Sequence, residues 1–272
     1  MPFALLGFFL AANRPDGLGF SLKLLLLVVL CMVFARNAAM AFNRFLDRHI
    51  DEKNPRTAVR EIPAGIIRPR SALAFVVINC GLFMLTCWFI NLLCFLLSPV
   101  ALLVILGYSF TKRFTPLCHF VLGLGLSLAP IGAYLAVGGG FDIIPLIYSA
   151  AVLLWVSGFD IIYALQDEAF DREHNLKSVP VLLGKKNALR LSNFLHVLCA
   201  ALMLTAAWLV GSTYNGPGWL AWLAPVIFVA LLFYQHTLVK VDDLSRVNLA
   251  FFTMNGIASL IFGGLMVLYF YV

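Results

Sequence analysis

The sequence predicts an all-α membrane protein with nine transmembrane helices. Three observations predict it. Of the 272 residues, 62% are apolar and only 12% charged, roughly half the charged fraction of a soluble domain. Mean hydropathy is +0.96. The apolar residues gather in runs near the ~20 residues that a helix needs to cross a hydrocarbon core. These runs cover 1–13, 20–46, 70–90, 92–110, 117–137, 143–166, 188–210, 218–238 and 247–271. No polar linker between them is long enough to separate two units, so residues 1–272 read as one domain.

In chain order, the first run is too short to cross unaided. It has neither the basic leader nor the cleavage site of a signal peptide; a shallow helix, or a native start upstream of Met1, is expected there. The second run carries Arg36 at mid-span and closes on an acidic cluster. A buried mid-span cation is costly unless it faces the interior, so Arg36 is expected to pair with an acid or bind an anionic group. The connection that follows has turn signals at Asn54-Pro55 and Pro63-Ala64-Gly65, with a short cap helix expected over 56–62. Pro99 and Pro130 predict kinks in the fourth and fifth runs, tolerated where neighbours or a cavity satisfy the backbone. Gly138-Gly139-Gly140 and Asn215-Gly216-Pro217-Gly218 mark turns on the opposite side. The sixth run closes on a second acidic cluster followed by a basic loop, as the second run does. Spans two to five and six to nine therefore read as a weak parallel repeat.

Lys and Arg orient the chain. Sixteen of the nineteen lie in the turns after the second, fourth, sixth and eighth runs: Arg44 to Arg70, Lys112 with Arg113, Arg172 to Arg190, and Lys240 with Arg246. That asymmetry places these turns in the cytoplasm, with the N-terminus inside a cytoplasmic (inner) membrane and the C-terminus outside. The net charge of +6 then belongs to one face, suited to anionic lipid of the bilayer or to an anionic substrate; no nucleic-acid partner is expected. The six cysteines lie in or beside apolar runs without metal spacing and read as core. His49 sits on the wrong face to share an ion with its neighbours. His119, His174, His196 and His236 are scattered, and no ligand role is expected of them.

The acidic clusters carry the chemistry. Asn43, Asp47 and Asp51 are spaced i, i+4, i+8; Asp160, Tyr163, Asp167 and Asp171 are spaced i, i+3, i+7, i+11. On a helix each set shares one face. Asp47 to Asp167 and Asp51 to Asp171 are each 120 residues apart. Brought together, four carboxylates would repel strongly in a low-dielectric site. Mg²⁺ resolves this, because it prefers oxygen ligands and binds a few carboxylates together with substrate phosphates. Asn43 would add a neutral oxygen. Arg56, Arg60, Lys112 and Lys177 on the same rim would meet phosphate oxygens left free by the ion. A plainer alternative pairs these acids with Arg44, Arg48, Lys53 and Arg172. Tyr108 and Lys112 share a helical face at the end of the fourth run, either as an interfacial anchor or on a substrate. Some of the 24 Phe residues would shield a carbocation by cation–π contact. An ion-coupled transporter would hold its acids near the midplane at broken helices; here they sit at the cytoplasmic rim, which favours an enzyme.

Asn43-x-x-x-Asp47-x-x-x-Asp51, Asp167-x-x-x-Asp171 preceded by Asp160-x-x-Tyr163, Tyr108-x-x-x-Lys112, and the segment from Arg56 to Gly65 follow one another in an order that resembles the UbiA superfamily of intramembrane prenyltransferases. Tyr163 to Asp167 and Asp243 to Arg246 look most like its 4-hydroxybenzoate polyprenyltransferase branch; a similar group acts in the menaquinone route on a naphthoate or futalosine-type acceptor. The resemblance implies nine helices around a central cavity, open sideways to lipid, with a cytoplasmic cap. It implies Mg²⁺, a polyprenyl diphosphate donor and an aromatic acid acceptor whose carboxylate meets Arg113. Two departures stand out. The family usually has a short basic segment before the first helix, whereas this sequence begins inside the apolar run, and Glu168 is an added acid pointing off the acidic face. Asp160 is the candidate for the final base.

Overall fold

The computed structural model describes every residue except Asp16, Leu18 and Gly139. The described residues form ten α-helices and no β-strand: α1 Pro2–Ala12, α2 Leu22–Asp51, α3 Pro69–Ile90, α4 Leu92–Thr111, α5 Cys118–Gly138, α6 Ile143–Ala164, α7 Glu168–Glu173, α8 Val179–Thr213, α9 Gly218–Thr237 and α10 Asn255–Tyr269. A 3₁₀ turn, Leu165–Asp167, joins α6 to α7, and a π-helical segment, Leu249–Met254, leads into α10. The glycine turn expected at 138–140 includes Gly139 and so lies partly outside the described residues.

Among the described residues eight helical segments are long and apolar enough to cross a membrane, and the expected helical boundaries hold for most of them. The first expected span, α1, has 11 residues, which reach only about 16 Å. It is buried instead, with Leu6, Phe8 and Leu10 at the centre of the bundle and its flanks against α5 and α10. Gly7 allows this approach, since a Cβ there would collide with the Pro130 carbonyl of α5. Phe3 stacks on Phe262 at 5.1 Å and tilts against Trp155 at 5.4 Å, so α1 plugs the core of α6, α9 and α10 with aromatic area.

Side-chain oxygens start several helices by accepting an otherwise orphaned amide. Ser21 accepts from Leu24 N, Asn91 from Cys94 N at 2.7 Å, and Asp142 from Ile144 N at 3.1 Å. Asn91 alone separates α3 from α4, and its Nδ2 also donates to Leu135 O at 3.0 Å, tying the hairpin to α5. Pro69 and Pro180 stand in the first turns of α3 and α8, where a missing amide costs nothing. The helices continue through Pro99, Pro130 and Pro225. Apolar side chains such as Leu26, Leu30, Phe75, Trp88 and Leu103 face outward on α2, α3 and α4, as lipid-facing helices require.

Three segments depart from expectation. The cap segment 52–66 is a string of turns rather than a helix over 56–62. Gly65, at φ +75°, ends it in a conformation that glycine adopts without penalty. α8 begins at Val179 instead of 188, with a break in helical geometry at Gly184. The second acidic cluster does not lie on one continuous α-helix, because the 3₁₀ turn shifts the phase between Tyr163 and Asp171.

Candidate active site

α2 continues past its apolar part to Asp51, and its last turns carry Asn43, Asp47 and Asp51. Asn43 Nδ2 donates to Asp47 Oδ2 at 3.0 Å, as the i, i+4 spacing predicts. Asp47 and Asp51 are 2% and 4% exposed, so each needs compensation. For Asp47 it comes from the end of α4. Lys112 Nζ lies 3.0 Å from Oδ2 and Arg113 Nη2 donates to Oδ1 at 2.8 Å. Arg113 also donates to Ser109 O and Leu46 O. For Asp51 it comes from the cap: Arg60 Nη1 donates to Oδ1 at 2.7 Å, and Thr57 Oγ1 donates to the Asp51 carbonyl at 3.1 Å. Asp51 Oδ2 is buried and has no hydrogen-bond partner among the described residues.

The second cluster is held by the same cap. Arg56 Nε donates to Asp167 Oδ1 at 2.9 Å, and its Nη2 donates to Oδ2. Its Nη1 donates to Tyr163 Oη at 2.8 Å. Asn54 Nδ2 adds a bond to Asp167 Oδ1 at 3.2 Å, while its own Oδ1 accepts from Arg56 N. Burial alone would lower the Arg56 pKa, but the Asp167 carboxylate outweighs it and raises the value above the usual arginine range. The planar guanidinium suits this three-point grip. The loop after α7 closes the rim, with Lys177 N donating to Lys112 O at 2.6 Å. Asp171 lies within electrostatic reach of Asp167 and Lys112.

The acidic ends of α2 and α6–α7 thus share one rim, joined through cations. The four carboxylates do not meet one another directly. Among the described residues no three His, Cys, Asp or Glu side chains form a metal cluster. Like charges repel in a poorly hydrated site, and Asp47, Asp51 and Asp167 are each met by a guanidinium or ammonium group. The local partners Arg48 and Arg172 are engaged elsewhere, on Phe45 O and on Glu168. The acids' partners come from α4 and the cap. Glu168 is accordingly paired away from Asp167. Arg113, expected to meet an acceptor carboxylate, sits on Asp47. Lys177 is exposed. Arg36 is exposed on α2 and makes no hydrogen bond or ion pair among the described residues, so pairing with an acid is not what holds it there.

Two participants were missed by sequence reasoning. Asn54 was legible only as a turn former. His119, at the start of α5, has its Nδ1 2.7 Å from Asp160 Oδ2; the two are 41 residues apart and no local pattern links them. Beneath the rim runs an aromatic column. Tyr163 stacks on Phe251 at 4.1 Å, Phe251 meets Phe159 at 5.3 Å, and Phe159 meets Trp155 at 5.2 Å. On the exposed loop before the π-helical segment, Ser245 N and Oγ donate to Asp243 Oδ1. These bonds hold the Asp243 carboxyl below its usual pKa.

The donor set fits a hard divalent ion. Asp51 keeps an unpaired buried oxygen, Asp47 and Asn43 stand one and two turns away on the same helix, and all are oxygen donors of the kind Mg²⁺ takes.

The profile of the UbiA prenyltransferase family matches residues 1–257. The 4-hydroxybenzoate octaprenyltransferase of Aeromonas hydrophila is 31% identical over 256 residues, 93% of this chain and 86% of that protein. The enzyme of the same description from Aliivibrio fischeri is 33% identical over 260 residues, 93% of this chain and 85% of that protein. Among solved structures, the apo UbiA homologue from Aeropyrum pernix has a TM-score of 0.86 at 32% identity, covering 98% of this chain and 95% of that one. A UbiA homologue from Archaeoglobus fulgidus, solved with GPP and Mg²⁺, shares the fold with a TM-score of 0.71 at 21% identity, covering 100% and 97%.

Proposed function

The chain belongs to the UbiA prenyltransferase family, and on that premise we propose that it transfers a polyprenyl group from a polyprenyl diphosphate to the ring of 4-hydroxybenzoate in quinone biosynthesis. The observation that carries this reading is the shared rim, where Asp47, Asp51 and Asp167 interleave with Arg56, Arg60, Lys112 and Arg113. Such a rim suits a diphosphate. Its anionic oxygens take over the cations, while the acids take up divalent metal. The relatives named for octaprenyl transfer support the donor and acceptor.

Asp47, Asp51, Asp167 and Asp171, with Asn43, would hold Mg²⁺. When bound, the ion supplies charge neutralisation for the departing pyrophosphate. Arg56, Arg60, Lys112 and Lys177 donate to the remaining phosphate oxygens as charge builds there. The allylic C–O bond breaks, with its electron pair leaving on the pyrophosphate. Tyr163 and the aromatic column beneath it face the cation that forms. A ring carbon of the acceptor ortho to its hydroxyl, and electron-rich from it, gives its π pair to the allylic carbon. Asp160 takes the ring proton, and the released C–H pair restores aromaticity. Arg113 has donors beyond those used on Asp47 and orients the acceptor carboxylate; Tyr108 stands on the same helix face as Lys112 and lines the acceptor side. Arg36, deeper in α2, meets an anionic group of substrate or lipid. The reaction faces the cytoplasm from the inner membrane, the face that the basic loops favour. The polyprenyl tail stays in lipid, and water is kept from the cation by the cap.

The test uses purified protein in lipid nanodiscs with geranyl diphosphate, Mg²⁺ and a panel of aromatic acids, with products identified by mass. The expected product is a prenylated 4-hydroxybenzoate whose formation stops on chelation of the metal. An adduct with a dihydroxynaphthoate alone would move the protein to the menaquinone route. No adduct with any acid would refute prenyl transfer.

A further inference from the structure

His119 is buried at the first turn of α5, where its side chain meets Asp160 and lies within electrostatic reach of Asp171. Its ring is held at both nitrogens. Val179 N, at the start of α8, lies 3.3 Å from Nε2 as a donor. An amide N–H can only donate, so Nε2 is bare and the ring proton sits on Nδ1. That proton points at Asp160 Oδ2, 2.7 Å away. The His119 carbonyl in turn accepts from Ser157 Oγ at 3.3 Å. One turn further along, α5 and α6 pack closely: a Cβ on Gly123 would lie 2.5 Å from Ser157 Oγ and 2.6 Å from Leu153 O.

The consequence falls on Asp160. One carboxylate oxygen is held by His119. The other has no hydrogen-bond partner among the described residues, and the side chain is 21% exposed. Asp160 stands one helical turn below Tyr163, which binds the same Arg56 that grips Asp167. The free oxygen therefore lies just beneath the diphosphate rim. An acceptor ring must sit at that depth to reach the carbon losing diphosphate.

We propose that His119 is a positioning residue that holds the Asp160 carboxylate, through one oxygen, so that the other is aimed at the acceptor's ring proton. The inference rests on the prenyl-transfer reading above and adds a residue to it. In the step concerned the ring's π pair forms the new C–C bond to the allylic cation left when the C–O bond to diphosphate has broken. The proton on the attacked carbon passes to the free Asp160 oxygen, and its bond pair returns to the ring. Protonated Asp160 then loses the proton to water, and pyrophosphate departs. His119 itself gives up no proton.

The experiment compares wild type, His119→Leu and His119→Asn in nanodiscs, using acceptor with hydrogen or deuterium at the attacked carbon. Wild type is expected to show no primary isotope effect, because a well-placed base makes proton loss faster than attack. His119→Leu is expected to lose about 10–100-fold in kcat, to keep the wild-type KM for the prenyl diphosphate, and to gain a primary isotope effect. His119→Asn places an amide N–H near the Nδ1 position, so it recovers most of the rate and suppresses the isotope effect. Wild-type kcat in His119→Leu, or a lower kcat with no isotope effect, overturns the proposal. Should the Leu variant fail to fold, Asp160→Asn carries the test, and the absence of an isotope effect in that variant overturns it equally. Failure of the underlying reading has a separate signature: wild type itself yields no prenylated acid.

Discussion

Among single residues, Asp47 and Asp51 show two ways of keeping a carboxylate out of water. Asp47 is met on both oxygens, by Lys112, Arg113 and Asn43. Asp51 is met on one by Arg60, and its other oxygen is buried and unpaired. Leaving such a group unsatisfied costs roughly 1–3 kcal/mol or more. A cost of that kind is kept where binding relieves it. Asp51→Asn is therefore expected to raise the Mg²⁺ concentration for half-maximal activity by about tenfold or more, with thermal stability in nanodiscs unchanged or improved. An unaltered Mg²⁺ dependence would separate Asp51 from the metal. The i, i+4, i+8 spacing of α2 was legible because a regular helix sets both ends of the pattern. The partners of these acids were not. Arg113, Arg60 and Arg56 were readable as rim cations, yet which acid each one meets depends on how α4 and the cap fold back. Asp160 was legible in the spacing of the second cluster, but its pairing with His119, 41 residues away, left no local mark.

Helices were legible wherever an apolar run has a length the bilayer imposes. What lay outside the apolar run was harder. The first nine residues of α8, from Val179 to Asn187, contain Gly184 and end on Lys185, Lys186 and Asn187, and so read as loop, although Pro180 near their start fits a helix N-terminus. The 3₁₀ turn at Leu165–Asp167 has no signature in a pattern of matched acids. At α6 the packing turns on one glycine. Ser192 Oγ donates to Gly158 O at 2.8 Å, and His196, hydrogen-bonded at 2.7 Å to His236 of α9 and at 3.1 Å to Trp155 O, lies against Gly158. A Cβ at 158 would strike the His196 imidazole, whereas at Gly264 of α10 it would meet nothing. Gly158→Ala is expected to destabilise the protein by about 1–3 kcal/mol, read as a lower melting temperature in detergent or nanodiscs. Gly264→Ala serves as the control and is expected to change little. Equal melting temperatures for the two variants would show that α8 can move away from α6 at no cost.

Across the whole molecule, the bundle brings together two helix ends that are 120 residues apart in sequence. α1 fills the core on the far side, α4 delivers Lys112 and Arg113, and the cap segment ties both acidic ends through Arg60 and Arg56. The membrane class and the pairing of acidic clusters were readable from composition and spacing alone. Which cation holds each of Asp47, Asp51 and Asp167 was not, because it follows from how α4 and the cap pack over one rim. The account's central claim is that these two ends act as one site on a prenyl diphosphate. A double-mutant cycle on kcat/KM for prenyl transfer, with Asp51→Asn and Asp171→Asn, tests it most directly. If the two acids serve one bound metal–diphosphate group, the double variant is expected to be little worse than the worse single variant, a strongly non-additive result. Losses that simply multiply, as for two independent sites, would contradict the claim.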